Sequence, residues 1–207
     1  MITQGNNNNQ VQVPINGPAQ CIIPVLFTRK NSIYLKLPFT DVYDINRDAL
    51  SYSGSSPVIA HPPCRGWSRL RRFSNHTEDE KNLARWTVKL IQVTGGVLEH
   101  PECSSLWKDM NLPFGNSLDQ YGGWTLSIDQ KWFGHRARKR TWLYIVGISP
   151  RQIPSYPLSF DATTHVVARG RRYTGKKELS KAARESTPIG FAKWLLLVAR
   201  SISDNKA

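Results

Sequence analysis

The chain contains no run of about 18 apolar residues, so it offers no membrane-spanning helix. Cysteine is scarce: Cys21, Cys64 and Cys103 form no Cys-x-x-Cys pair and stand beside no histidine pair at ligand spacing. Neither a disulfide framework nor a bound metal is therefore expected. Acidic residues are few as well, with 15 Asp and Glu against 28 Lys and Arg, a formal net charge of +13. That excess attracts polyanions and makes their binding salt-dependent, so nucleic acid is the first partner to expect; a solubilising basic surface is the alternative. Residues 1–20, with Asn6 to Asn9 in a row, lack the basic-then-apolar order of a secretory leader. They read as a flexible tail, and a cytoplasmic location is expected.

What the chain does carry is an alternation of short apolar runs with amphipathic stretches. At 207 residues, 40% hydrophobic and 21% charged, it has room for one globular domain, placed here at residues 21–201. Cys21 to Phe27 is apolar and partly β-branched, a buried strand with a proline near its start. Asp41 to Asn46 and Pro57 to His61 are further strand candidates, the second stopped by Pro62-Pro63, which cannot continue a ladder. Thr77-Glu78-Asp79-Glu80 has capping-box spacing, and Leu83, Trp86, Leu90 and Ile91 recur on one helical face until Gly95-Gly96. Val97-Leu98, Trp142 to Val146 and, more weakly, Thr164 to Val167 read as strands. Thr187-Pro188 opens a last helix with Phe191, Trp194, Leu195 and Val198 as its stripe. Strands alternating with helices predict an α/β sheet, with Phe27, His61 and Glu99 at strand exits that line one cleft.

Cys64 follows a rigid Pro62-Pro63 and precedes Arg65, Arg69, Arg71 and Arg72. Such a positive field lowers a thiol pKa and favours a nucleophilic thiolate; the alternative is a small buried filler. Arg29 and Lys30, at another strand exit, suit an anionic ligand or form a solvated basic turn.

The segment Pro62-Pro63-Cys64-Arg65-Gly66-Trp67-Ser68 resembles the nucleophile motif of the DNA cytosine-C5 methyltransferases, with Arg and Trp where Gln and Phe are usual. Glu99, after a strand, is similar to the glutamate of the family's Glu-Asn-Val, which contacts the pyrimidine N3 edge; here His100 and Pro101 follow it. His135 to Arg140, leading into Thr141 to Gly147, resembles the family's Gln-and-arginine motif, with His135 in place of the glutamine. Asp44-Ile45-Asn46 resembles the motif whose acid holds ribose hydroxyls.

The resemblance runs from about Ile22 to Arg200 and implies a reduced, Rossmann-like methyltransferase fold, a three-layer sandwich that uses S-adenosylmethionine. It implies catalytic roles for Cys64, Glu99 and Arg138, and cofactor contacts from Phe27, Asp44, Asn46, His61 and Pro62. Double-stranded DNA would be held by Arg65, Trp67, Ser68, Arg69, Arg71, Arg72, Arg136, Arg140, Arg171 and Arg172. In the implied reaction the cytosine is flipped out, Cys64 adds to C6, Glu99 stabilises the protonated N3, and C5 takes the methyl group.

Two departures accompany the resemblance. The family's Phe-x-Gly-x-Gly loop is replaced by Thr28-Arg29-Lys30-Asn31-Ser32-Ile33-Tyr34, with none of the glycine that lets a backbone approach the cofactor closely. Only a short basic insert, 148–186, stands where the family carries a recognition domain; it holds Arg169, Arg171, Arg172, Lys176 and Lys177 as candidates for DNA-backbone contact. Three readings therefore stand: a C5 methyltransferase, a pyrimidine-modifying enzyme with another cofactor or none, and a non-catalytic DNA-binding or anti-restriction protein of the kind a phage encodes.

Overall fold

The computed structural model describes residues 21–69, 71–115, 117–167 and 175–206. The tail 1–20 and the expected contacts Arg169, Arg171 and Arg172 lie outside the described residues. In chain order, β1 (Ile23–Leu26) leads through a 3-10 turn, Ile33–Lys36, to β2 (Thr40–Val42), and a second such turn, Ala49–Ser51, precedes β3 (Val58–Ala60). The 3-10 turn Arg71–Phe73 precedes α1 (Glu78–Thr94), β4 (Gly96–Pro101) and α2 (Leu106–Asp109). Then come β5 (Trp124–Asp129), the 3-10 turn Gln130–Phe133, β6 (Arg140–Val146), β7 (His165–Val166), β8 (Lys177–Glu178), α3 (Lys181–Glu185) and α4 (Ile189–Asp204).

Six strands form one mixed sheet in the order β2-β1-β3-β4-β6-β5, and β7 pairs with β8 apart from it. β1 to β4 run parallel, whereas β6 is antiparallel to both its neighbours. The chain leaves β1 towards β2 and returns on the other side at β3, so the strand order reverses beside β1. In a parallel sheet a crevice opens at such a switch point, outside the carboxyl ends of the strands.

Side chains alternate across each strand, and the alternation sorts the core into two layers. Ile23, Val25, Ile59, Val97, Leu143 and Ile145 pack with Phe191, Leu195, Val198 and Ile202 of α4. Leu26, Val58, Ala60, Leu98, Tyr144 and Val146 pack with Ala84, Val88 and Ile91 of α1. Burying each large aliphatic chain contributes about 1.5–3 kcal/mol. The same parity puts His61, Glu99 and Thr141 on the α4 side of the sheet, and His100 and Trp142 on the α1 side.

The Thr77 hydroxyl caps α1, accepting from the Glu80 N–H at 3.1 Å. The expected stripe of α1 is displaced: Ala84, Thr87, Val88, Ile91 and Thr94 are buried, while Leu83, Trp86 and Leu90 are half-buried at its flanks. A helix lying flat on a sheet meets it through small side chains, and the Thr87 and Thr94 hydroxyls are satisfied by the Leu83 and Leu90 carbonyls. Gly96, at φ 131°, opens β4; a Cβ there would lie 2.2 Å from the Val58 carbonyl oxygen. β5 is not among the expected strands, although Trp124, Leu126 and Ile128 alternate with Thr125, Ser127 and Asp129. Among the described residues no helix is long and apolar enough to cross a membrane.

Candidate active site

β3 delivers His61 and the Pro62-Pro63 break to a tight turn in which the Cys64 carbonyl accepts from the Trp67 and Ser68 N–H groups, at 3.0 and 2.9 Å. Three anchors fix this turn. Arg65 Nε donates to both Glu80 oxygens, at 2.6 and 2.8 Å, diverting that carboxylate from the capping box and tying the turn to α1. Trp67 is buried beneath the Lys81 and Arg85 cations, which lie 4.7 and 4.9 Å from its ring centroid. Its carbonyl accepts from the Ser105 N–H at 3.0 Å. Arg65 and Trp67, expected on DNA, are thus supports of the turn, and Pro62, expected on a cofactor, is buried beneath it; Ser68 is half-buried.

Glu99 leaves β4 beside His61, because Ala60 and Leu98 are register partners on adjacent parallel strands. His61 Nδ1 lies 3.1 Å from Glu99 Oε2, and His61 Nε2 lies 3.1 Å from the Tyr34 hydroxyl. Gln130 Nε2 and the Thr141 hydroxyl donate to Glu99 Oε1 at 3.0 and 3.2 Å. Burial alone would raise the Glu99 pKa; the His61 hydrogen bond, the Lys139 cation and the charges that His61 and His100 carry when protonated outweigh it and hold the carboxyl down to about 2. His61 therefore supports the glutamate; it was expected on a cofactor. Tyr34 and Gln130 were not anticipated, since each is brought in by a 3-10 turn remote in sequence.

The Cys64 thiol is half-buried. Burial and the Glu99 charge, with a smaller push from Glu185, raise its pKa to about 11 against the pull of Lys139. The expected activating field is absent because Arg65 is paired with Glu80 while Arg69, Arg71 and Arg72 point into solvent. Lys139, not Arg138, is the cation that acts on both Cys64 and Glu99. Arg138 is 68% exposed and donates from Nε to Asp129 at 2.9 Å. Residues 135 and 137 turn inward and 139 is half-buried, whereas Arg136, Arg138 and Arg140 turn outward. Arg140 pairs with Glu102 at 2.5 Å.

α3 lies beside these residues, joined to Arg29 and, through Ser186, to Lys139. Arg29, two residues past the bend at Phe27, donates to the Ala182 carbonyl at 3.2 Å and pairs with Glu185 at 3.5 Å. Lys139 Nζ reaches the Ser186 carbonyl at 3.4 Å. Arg29, expected to meet an anion, is thus engaged by the chain itself. A cavity of about 600 Å³ bounded by Lys89, Gln92, Met110, Asp119 and Tyr121 includes none of the predicted site residues.

The residues at the switch point do not fit S-adenosylmethionine. Every residue from Phe27 to Ser32 carries a Cβ, and the Thr28 N–H and hydroxyl both close onto the Tyr43 carbonyl, at 3.0 and 3.3 Å. The β1–β2 crossover is a four-residue 3-10 turn with no full helix start to receive a ligand. Asp44, expected on the ribose, accepts instead from the Asn46 and Arg47 N–H groups of its own turn, at 2.8 and 3.3 Å, and Asn46 is exposed. Phe27 adopts φ 60° and packs edge-on against Trp86. Among the described residues no group of three or more His, Cys, Asp or Glu could hold a metal ion. No protein-family model matches the chain, and no curated protein matches it.

Proposed function

We propose that this protein captures a pyrimidine base of DNA on the Cys64 turn, with Glu99 meeting the N–H edge of the ring and the Cys64 thiol adding to C6. The observation that carries the reading is that Glu99, on β4 beside the end of β3, and Lys139, just before β6, both act electrostatically on the Cys64 thiol of the turn after β3, so that a thiol, a carboxylate and a cation are neighbours. The six-stranded sheet with helices on both faces supports a Rossmann-like, methyltransferase-type scaffold behind that site. The addition balances without a further reactant: the S–H bond and the C5–C6 π bond break, sulfur bonds to C6, and the proton passes through solvent to C5. Glu99, charged and buried, accepts an N–H hydrogen bond from the ring and favours the ring's protonated form, which offsets the negative charge that thiol addition delivers to it. Methyl transfer is not part of the proposal, because the switch-point residues do not fit the donor. Arg69, Arg71 and Arg72, exposed just after the Cys64 turn, and Arg136, exposed before β6, supply phosphate contacts.

A thiol held in its protonated form and the contacts of α3 with Arg29 beside the site favour a second reading, in which the base or its DNA is held without a covalent bond. DNA carrying 5-azacytosine separates the two, because nitrogen at position 5 makes C6 more electrophilic. Intact-mass spectrometry should show protein plus oligonucleotide with the wild type and no adduct with Cys64→Ser. Salt-sensitive binding without any adduct would leave the second reading.

A further inference from the structure

We infer that His61, braced by Tyr34, is the positioning residue that fixes Glu99 as a hydrogen-bond acceptor, so that the site takes a ring edge presenting an N–H and refuses one that lacks it. The consequence for ligand choice rests on the base-binding reading above; the relay itself rests on geometry. His61 and Glu99 are 13% and 14% exposed and 3.1 Å apart. The far ring nitrogen meets Tyr34, whose ring centroid lies 5.5 Å from that of His61 and which is itself buried.

A carboxylate only accepts, so the proton on each line to Glu99 belongs to its donor. His61 must then carry hydrogen on Nδ1, while its Nε2 pairs with the Tyr34 hydroxyl, which donates to a bare nitrogen and accepts from a protonated one. Both ring nitrogens and both Glu99 oxygens thus have a partner. With Gln130 and Thr141 on Oε1 and His61 on Oε2, three of about four lone-pair positions are taken. One acceptor position remains, on the oxygen that His61 orients. Without His61, a buried carboxyl on this strand would lose its strongest counterweight to desolvation and take up a proton, becoming a donor.

A carboxyl ¹³C titration of Glu99 in the full chain tests the relay, the resonance being assigned by its loss in Glu99→Gln. The other groups that bear on Glu99 are Lys139 before β6, His100 on β4, Tyr34 on the first 3-10 turn and Cys64 on the turn after β3. In the wild type Glu99 is ionised throughout about pH 4–7. His61→Ala moves its midpoint into that window, and Tyr34→Phe moves it in the same direction by less. His61→Gln restores wild-type behaviour, because its amide N–H reaches Oε2 and its carbonyl accepts from Tyr34. His61→Asn, too short to span both partners, replaces the alanine variant if that does not fold. A Glu99 that stays ionised across the window in His61→Ala or His61→Asn overturns the inference, and so does a His61→Gln that behaves like either. No nucleic acid enters this titration, so a missing 5-azacytosine adduct would end the base-binding reading and leave the relay standing.

Discussion

Glu99 and His100 are adjacent on β4 and meet opposite environments. Glu99, on the α4 side, gathers three hydrogen bonds and a nearby lysine, and remains charged. His100, on the α1 side, packs edge-on against Trp107, and neither of its ring nitrogens makes a hydrogen bond of normal geometry. Burial drives its pKa down to about 4, against the opposing pull of Glu99 and the nearby Pro63 carbonyl, so it is a neutral filler behind the Cys64 turn. Strand parity, more than residue type, decides which titratable group becomes chemistry and which becomes core. His100, which follows the acid where the resembled family has asparagine, therefore does not line the wall on which Glu99 acts.

The most damaging way to break this contrast is to disturb the register that creates it. Gly96→Ala would drive a methyl group into the Val58 backbone, and an unfolding free energy lower by about 3 kcal/mol or more is expected in denaturant titration. A wild-type midpoint would show that β4 does not start against β3.

Acidification sharpens the contrast. The folded-state pKa of His100 is depressed, so the unfolded chain binds the extra proton first. Stability is therefore full above about pH 6.5 and falls as pH drops towards about 4, by up to about 3 kcal/mol. Glu99 acts lower: its depressed pKa adds stability above about 4.5 that is lost as pH falls towards about 2. His100→Phe should remove the upper limb of the stability–pH curve at little cost at neutral pH, since no partnered hydrogen bond is lost. Persistence of that limb in His100→Phe would assign it to another group.

The fold was largely legible in the chain because its signals were local. Apolar runs marked β1, β3 and β6, and the cap at Thr77 with Gly95-Gly96 marked α1. β5 carries a clean alternation of its own, from Trp124 to Asp129, as local a signal as those of β1 and β3. The site was legible only in part. Cys64 and Glu99 stood out through the motifs they resemble, but the His61–Glu99 contact joins residues 38 apart and depends on the pairing of β3 with β4. Lys139 was hidden by a louder neighbour: carrying the inward parity of Leu143 and Thr141 back two residues selects 139, whereas attention to arginine selects Arg138. The lowered thiol pKa failed for a related reason, since sequence proximity does not show where guanidinium groups point.

Arginines extend the contrast to the surface. Arg65 and Arg140 are paired with Glu80 and Glu102, whereas Arg69, Arg71 and Arg72 make no ion pair among the described residues. Replacing those three with alanine should weaken duplex DNA binding about tenfold or more and flatten its log–log salt slope by up to about 3, read by fluorescence anisotropy across a salt series. Unchanged affinity would place the DNA on another face.

The convergence of Cys64, Glu99 and Lys139 is tested most directly by the rate at which iodoacetamide alkylates Cys64, followed by peptide mass mapping at neutral pH. In the wild type that rate should go on climbing towards about pH 11. At neutral pH Glu99→Gln should raise it about threefold to tenfold by removing the negative charge, and Lys139→Met should lower it. Rates unchanged in both variants would mean that the thiol, the carboxylate and the ammonium do not share a cleft.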